Sequence, residues 1–154
     1  MTVVNKLPVS LSDLKAALAR VHNVLKPSPI THSPMVSSII GHDVYFKWEN
    51  RFKPGSSKER GAINFLASLS PDERKKGVGA ASLGNHALAL SYHAALLKIP
   101  CTIIMPIQAP LVKVQSTRKT GARVILHGNG FDEAYSHAQT LSASEDMCFV
   151  SAFD

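Results

Sequence analysis

The chain has 154 residues, 45% hydrophobic and 18% charged, with 17 Lys and Arg against 11 Asp and Glu for a net charge of +6. This is the length and mixture of one folded globular domain, which excludes a disordered tail, a collagen-like fibre and a disulfide-dense secreted module. No apolar run approaches the ~20 residues of a spanning helix, and the start, Met1-Thr2-Val3-Val4-Asn5-Lys6, lacks the apolar core and cleavage site of a secretory signal, so no membrane association and a cytoplasmic location are expected.

Leu11, Leu14, Leu18, Val21 and Leu25 recur at three-to-four-residue spacing and predict an amphipathic helix, with Ser10 and Asp13 as its capping box and Lys26-Pro27 as its stop. Val44-Tyr45-Phe46-Lys47-Trp48 predicts a strand over 43–49, followed by a loop over 50–57. A helix is expected over 58–69, and Ser70-Pro71-Asp72-Glu73 starts a second, short one with serine as cap and proline at its first position. Strands over 78–81, 101–105, 123–126 and 147–150 then alternate with helices over 85–97, 110–120 and 131–142. This order predicts an α/β fold: an open parallel sheet flanked by helices on both faces, with right-handed crossovers. The chain stops at Asp154 directly after a strand with no closing helix, which suggests the front part of something larger.

In open parallel sheets, ligands bind where the carboxyl ends of strands lead into helix N-termini. The loop Ala81-Ser82-Leu83-Gly84-Asn85-His86 occupies such a place. Glycine admits a ligand close to the backbone, the amides and helix dipole favour an anion, and serine and asparagine add a hydroxyl and an amide. The same pattern also suits a plain helix-capping turn. Lys58 follows a Pro-Gly-Ser loop and opens a helix, placing its amine at the positive end of the dipole, which disfavours the ammonium over the nucleophilic amine. A lone lysine in that setting is otherwise a solvated surface charge.

Other sequence features point away from alternative chemistries. Gly77-Val78-Gly79 and Gly55-Ser56-Ser57-Lys58 have neither the spacing nor the order of nucleotide-binding loops. His86 and His93 stand seven apart, without the four-residue spacing and acidic partner of a helical zinc motif, so no metal is expected. Cys101 and Cys148 read as buried thiols. Basic residues are scattered, as in Arg74-Lys75-Lys76 before a glycine, with no stripe interleaved with aromatics; an anionic small molecule suits the charge better than nucleic acid.

Taken jointly, the run Lys47-Trp48-Glu49-Asn50-Arg51-Phe52-Lys53-Pro54-Gly55-Ser56-Ser57-Lys58-Glu59-Arg60-Gly61-Ala62 and the run Ser82-Leu83-Gly84-Asn85-His86-Ala87 resemble the N-terminal part of the threonine dehydratase and serine racemase family, fold-type-II enzymes that use pyridoxal 5′-phosphate. Ile104-Met105-Pro106, Ala109-Pro110, Lys113, Thr120-Gly121-Ala122 and Gly130-Phe131-Asp132-Glu133-Ala134 extend the resemblance over residues 25–154. The resemblance implies that Lys58 is the catalytic lysine and covalent anchor of pyridoxal 5′-phosphate. It implies that Asn85 holds the cofactor ring's 3′ oxygen, and that Ser82, Gly84, Asn85 and His86 bind the carboxylate of an amino acid, threonine or serine. The reaction would be loss of water to give a 2-oxo acid and ammonia. Ser57 and Pro54 stand where the family has phenylalanine and threonine, and Leu83 where racemases carry a second serine; leucine there argues against racemisation and is expected to crowd the substrate.

The resemblance also implies a division into 1–52, part of an incomplete large domain, 53–150, a small α/β domain, and 151–154, a return to the large one. The family's glycine-rich phosphate loop lies downstream of these motifs, which implies weak or no activity for the chain alone. The expected partners are a homo-oligomer, a full-length relative or a C-terminal chain. The alternative is a non-catalytic, degenerate paralogue acting as a binding module.

Overall fold

The structure is a computed structural model that describes residues 9–153; the N-terminal residues read above for a secretory signal, and Asp154, lie outside the described residues. Helix α1 (Leu11–His22) starts at the expected capping box. Ser10 Oγ accepts from the Asp13 N–H at 3.2 Å, and an Asp13 carboxylate oxygen accepts from the Ser10 N–H at 2.9 Å. The helix ends at His22, short of Leu25, because the Val24 amide bonds the Val21 carbonyl three residues back in place of its i−4 partner. Val21 is buried, while Leu11, Leu14 and Leu18 of the same stripe are exposed.

Two short elements follow that the sequence reading did not anticipate, β1 (Ile30–His32) and α2 (Pro34–Ile40). The strand expected over 43–49 contracts to β2 (Tyr45–Lys47), which pairs antiparallel with β1, Ile30 opposite Lys47. Its continuation is a single 3-10 turn, Glu49–Arg51.

The remaining elements fall within two residues of expectation, and three of the strands coincide with it. They are α3 (Lys58–Ser68), α4 (Pro71–Lys76), β3 (Val78–Ala81), α5 (Asn85–Leu96), β4 (Cys101–Met105), α6 (Leu111–Arg118), β5 (Arg123–Leu126), α7 (Phe131–Ser144) and β6 (Cys148–Phe149). The strands form a parallel sheet in the order β5-β4-β3-β6.

Side chains alternate across this sheet and define its two faces. Val78, Ala80, Ile103 and Met105 pack with Leu66 of α3, Leu90 and Ala94 of α5 and Val114 of α6. Ala81 and Ile104 meet Ala134 and Ala138 of α7 on the other face. Helices therefore cover both faces, and the expected fold class holds. Each buried Leu or Ile contributes roughly 1.5–3 kcal/mol, so these layers hold the strand ends in place. The carboxyl end of β3 delivers the loop that opens α5, and the carboxyl end of β6 delivers residues 150–152 beside the start of α3. Among the described residues, no helix is long and apolar enough to cross a membrane.

Candidate active site

The start of α3 is anchored from the loop before it. Arg60 on the first turn donates from Nε at 2.7 Å and Nη2 at 2.9 Å to the two carboxylate oxygens of Glu49, a fork that fixes direction as well as distance. The Ser28 hydroxyl donates to the same carboxylate at 2.5 Å, and Lys47 Nζ donates to the Ser28 carbonyl at 2.6 Å. Arg60 also stands 5.1 Å from the ring centre of Phe52. The Arg60 hydrogen bond holds the Glu49 carboxyl at about 2, against the opposing effect of burial and with help from Ser28. Lys47, Glu49 and Arg60 of the first motif thus set the geometry of the loop from which Lys58 emerges.

Lys58 is the first residue of α3, and its Nζ donates to the Ala152 carbonyl at 2.9 Å. The side chain is exposed at the edge of a cavity of about 430 Å³ whose walls include Phe65, His86, Phe149 and Ala152. His86 is buried, with Nε2 3.3 Å from the Val150 carbonyl. Burial pushes its pKa below the ordinary 6.5, the Val150 contact opposes this, and the nearby Lys58 cation lowers it further. A carbonyl can only accept, so the neutral ring places its proton on Nε2 and leaves Nδ1 with a free lone pair.

The second motif is arranged differently from the first. Ser82 is buried, and its Oγ accepts from the Gly84 and Ala87 N–H groups at 3.2 Å each, so the hydroxyl oxygen caps the start of α5. Its own O–H remains free to donate. Asn85 is exposed at the first position of α5. Leu83, expected to crowd a substrate, is half-buried and packs against the core beneath α5, where an apolar side chain gains most. Lys58 and His86 share the cavity; Ser82, Gly84 and Asn85 belong to the adjoining loop and do not line it.

One buried pair escaped the sequence reading. Glu59 and His93, with side chains 1% and 3% exposed, meet at 2.8 Å between Glu59 Oε2 and His93 Nε2. A signal was present: Glu59 shares the helical spacing of Ala62, Ile63 and Leu66, the buried face of α3.

The chain is thus an α/β protein that presents a helix-opening lysine to a cavity beside a glycine-containing loop at a strand end. Residues 21–154 match the family described as pyridoxal-phosphate dependent enzyme, and the chain belongs to that family. It is 44% identical over 146 residues to the L-threonine ammonia-lyase of Thermotoga maritima, covering 95% of this chain and 36% of that protein. It is 38% identical over 134 residues to the mitochondrial threonine dehydratase of Saccharomyces cerevisiae, covering 87% of this chain and 23% of that protein. Among solved structures, the processed form of threonine deaminase isoform 2 from Solanum lycopersicum superposes with a TM-score of 0.84 at 36% identity, over 89% of this chain and 40% of that one. Serine racemase from Dictyostelium discoideum gives 0.86 at 32% identity, over 93% and 47%. The expected fold-type-II architecture stands. The chain spans between about a quarter and two fifths of the length of the curated relatives it matches.

Pyridoxal phosphate, the cofactor of this family, requires an amine, room for a ring and donors for its anionic groups. Lys58 offers an exposed amine, the cavity lies within the usual ~300–1,000 Å³ of small-molecule sites, and the opening of α5 offers backbone amides. These residues fit the group.

Proposed function

We propose that this chain supplies the lysine-bearing part of a pyridoxal-phosphate-dependent ammonia-lyase, which removes water from threonine or serine to leave a 2-oxo acid and ammonia. The observation that carries the reading is Lys58 itself: an exposed amine at a cavity edge, donating to a backbone carbonyl and paired with no carboxylate among the described residues. When bound, the cofactor supplies an electron sink for the substrate's α-carbon. Lys58 would be the covalent anchor and would move the proton at that carbon. Asn85 would hold the ring's 3′ oxygen through its side-chain amide. Ser82, Gly84, Asn85 and His86 are the residues proposed for the amino acid's carboxylate, with the Asn85 and His86 amides as donors and the Ser82 hydroxyl adding its free proton, while the Gly84 and Ala87 amides already donate to Ser82 Oγ. His86 stays neutral, adding no positive charge to the Lys58 amine.

We assign residues 53–150 to a small domain and 1–52 with 151–154 to part of a larger one, and the partners proposed for its apolar face are a second copy, a full-length relative or a C-terminal chain. The exposed Leu11, Leu14, Leu18, Ile39 and Phe153 support this assignment, since isolated globular domains rarely leave so much apolar surface uncovered. A second reading, a binding module without catalysis, draws on Ser82: its oxygen is already committed to the helix cap.

The test is the absorbance spectrum of the purified chain with pyridoxal phosphate, before and after borohydride, beside Lys58→Ala. A covalent adduct trapped at Lys58 and lost in a folded Lys58→Ala protein supports the enzymatic reading. An adduct of equal yield in both proteins, or none in either, favours the binding module.

A further inference from the structure

Glu59 follows Lys58 directly, yet the two side chains go opposite ways: Lys58 is exposed, and Glu59 is buried between α3 and α5. The seam it enters is largely apolar, with Leu66 of α3 in one cluster with Ala87, Leu90 and Ala94 of α5. Its partner, His93, stands two helical turns beyond His86 on α5. Glu59 Oε1 is buried with no hydrogen-bond partner among the described residues, so the carboxylate is held across the seam by His93 through one oxygen. An apolar seam alone tolerates sliding and repacking, whereas a buried hydrogen-bonded pair specifies one register.

That register bears on the cavity. Lys58 of α3 grips the Ala152 carbonyl, and His86 of α5 grips the Val150 carbonyl, so the two helices hold the same short segment. Glu59–His93 ties the two helices to each other. Three links close a triangle around the space that Lys58 edges, and the buried pair is the side lying outside the cavity.

We propose that Glu59 and His93 are positioning residues: their buried hydrogen bond sets the register of α3 on α5 and thereby the placement of the Lys58 amine relative to the loop opening α5. The inference rests on the reading of Lys58 as cofactor anchor. It accounts for a charged group within an otherwise apolar interface, where burial of an unpaired carboxylate is costly.

The test compares three proteins: wild type, Glu59→Met/His93→Phe, which removes the hydrogen bond at nearly constant shape, and Glu59→Gln, which keeps a hydrogen-bonding partner for His93. Each is checked for folding by thermal unfolding, then incubated with graded pyridoxal phosphate and borohydride, and Lys58 labelling is read by peptide mass. Reductive methylation of Lys58 with formaldehyde, which needs only an exposed amine, runs in parallel. The Met/Phe protein is expected to need at least tenfold more pyridoxal phosphate for half-labelling, with Lys58 methylation within twofold of wild type. Glu59→Gln is expected to stay within about threefold on both readouts. Equal half-labelling in wild type and the Met/Phe protein overturns the positioning role while leaving the anchor role intact. Absence of any wild-type adduct overturns both. Should the Met/Phe protein not fold, Glu59→Leu/His93→Leu takes its place under the same criteria.

Discussion

Arg60 grips Glu49 with two parallel hydrogen bonds, so the first turn of the lysine helix is fastened to the residue that begins the loop before it. The grip depends on the carboxylate staying ionised, which sets its pH dependence. The Glu49 carboxyl lies at about 2 in the folded chain and ordinarily at 4.5. A depressed carboxylate stabilises the fold above its unfolded value and loses that contribution as pH falls through its folded value. The contribution is therefore full above about pH 4.5 and gone below about pH 2. Glu49→Gln is expected to lower stability at pH 7 by about 1–2 kcal/mol, less than the ~3 kcal/mol such a shift represents without solvent screening. Urea unfolding of both proteins at pH 7 and pH 3 checks it; a gap that does not narrow at pH 3 refutes the linkage.

Gly79 and Ser142 report how tightly α7 sits on β3. A Cβ at position 79 would overlap the Ser142 hydroxyl, and that hydroxyl is buried without a hydrogen-bond partner. Gly79→Ala is expected to cost about 1–3 kcal/mol through overpacking. Ser142→Ala removes an unsatisfied polar atom and is expected to be neutral or to stabilise by up to ~1 kcal/mol. In the double variant the alanine at 79 gains room, so most of the loss should return. Additive effects in thermal unfolding would show that the two positions do not meet.

The parallel sheet was readable in the sequence because each of its strands is an apolar run between helices with clear start signals, such as Ser70-Pro71 and Gly84-Asn85. Strand β1 and helix α2 were not. The three residues of β1 are all exposed and owe their conformation to pairing with β2, which local sequence does not encode. Helix α2 is short, but Pro34 at its start and Gly41 at φ +78° after its end are signals that were available. Lys58 was found through its loop and the motif around it. Glu59 stands between two charged residues, Lys58 and Arg60, and only the helical period reveals that it faces inward.

Cys101 and Cys148 flank Val78 from the two neighbouring strands, in register with it on either side. Two strand spacings separate their Cα atoms by about 9–10 Å, beyond the reach of a disulfide. Burial pushes the Cys101 thiol up to about 12 and raises that of Cys148, with Glu73 adding to the effect. Both thiols are therefore expected to react slowly with a disulfide reagent at pH 8. Both are half-buried, not buried as the sequence suggests. Cys101 should modify far faster on unfolding, and no intramolecular bridge should form under oxidation. Mass spectrometry of the native and urea-treated protein reads this directly, and equally rapid native and unfolded labelling of Cys101 at pH 8 would contradict its raised thiol pKa.

Ser82 separates the two readings of the second motif, because its oxygen and its proton can be removed independently. The oxygen accepts from Gly84 and Ala87 and holds the opening of α5, while the proton is free for a carboxylate. Ser82→Ala loses both and is expected to cost about 1–2 kcal/mol of stability. Ser82→Asp restores an acceptor at the positive end of the helix, so most of that stability should return. It also brings a negative charge to the place proposed for the amino acid's carboxylate, so serine or threonine should bind at least tenfold more weakly than to wild type. Measured together, a recovered unfolding midpoint with lost amino-acid binding assigns the residue both roles. Recovery of both would mean that Ser82 is a cap alone and that the carboxylate is held by backbone amides.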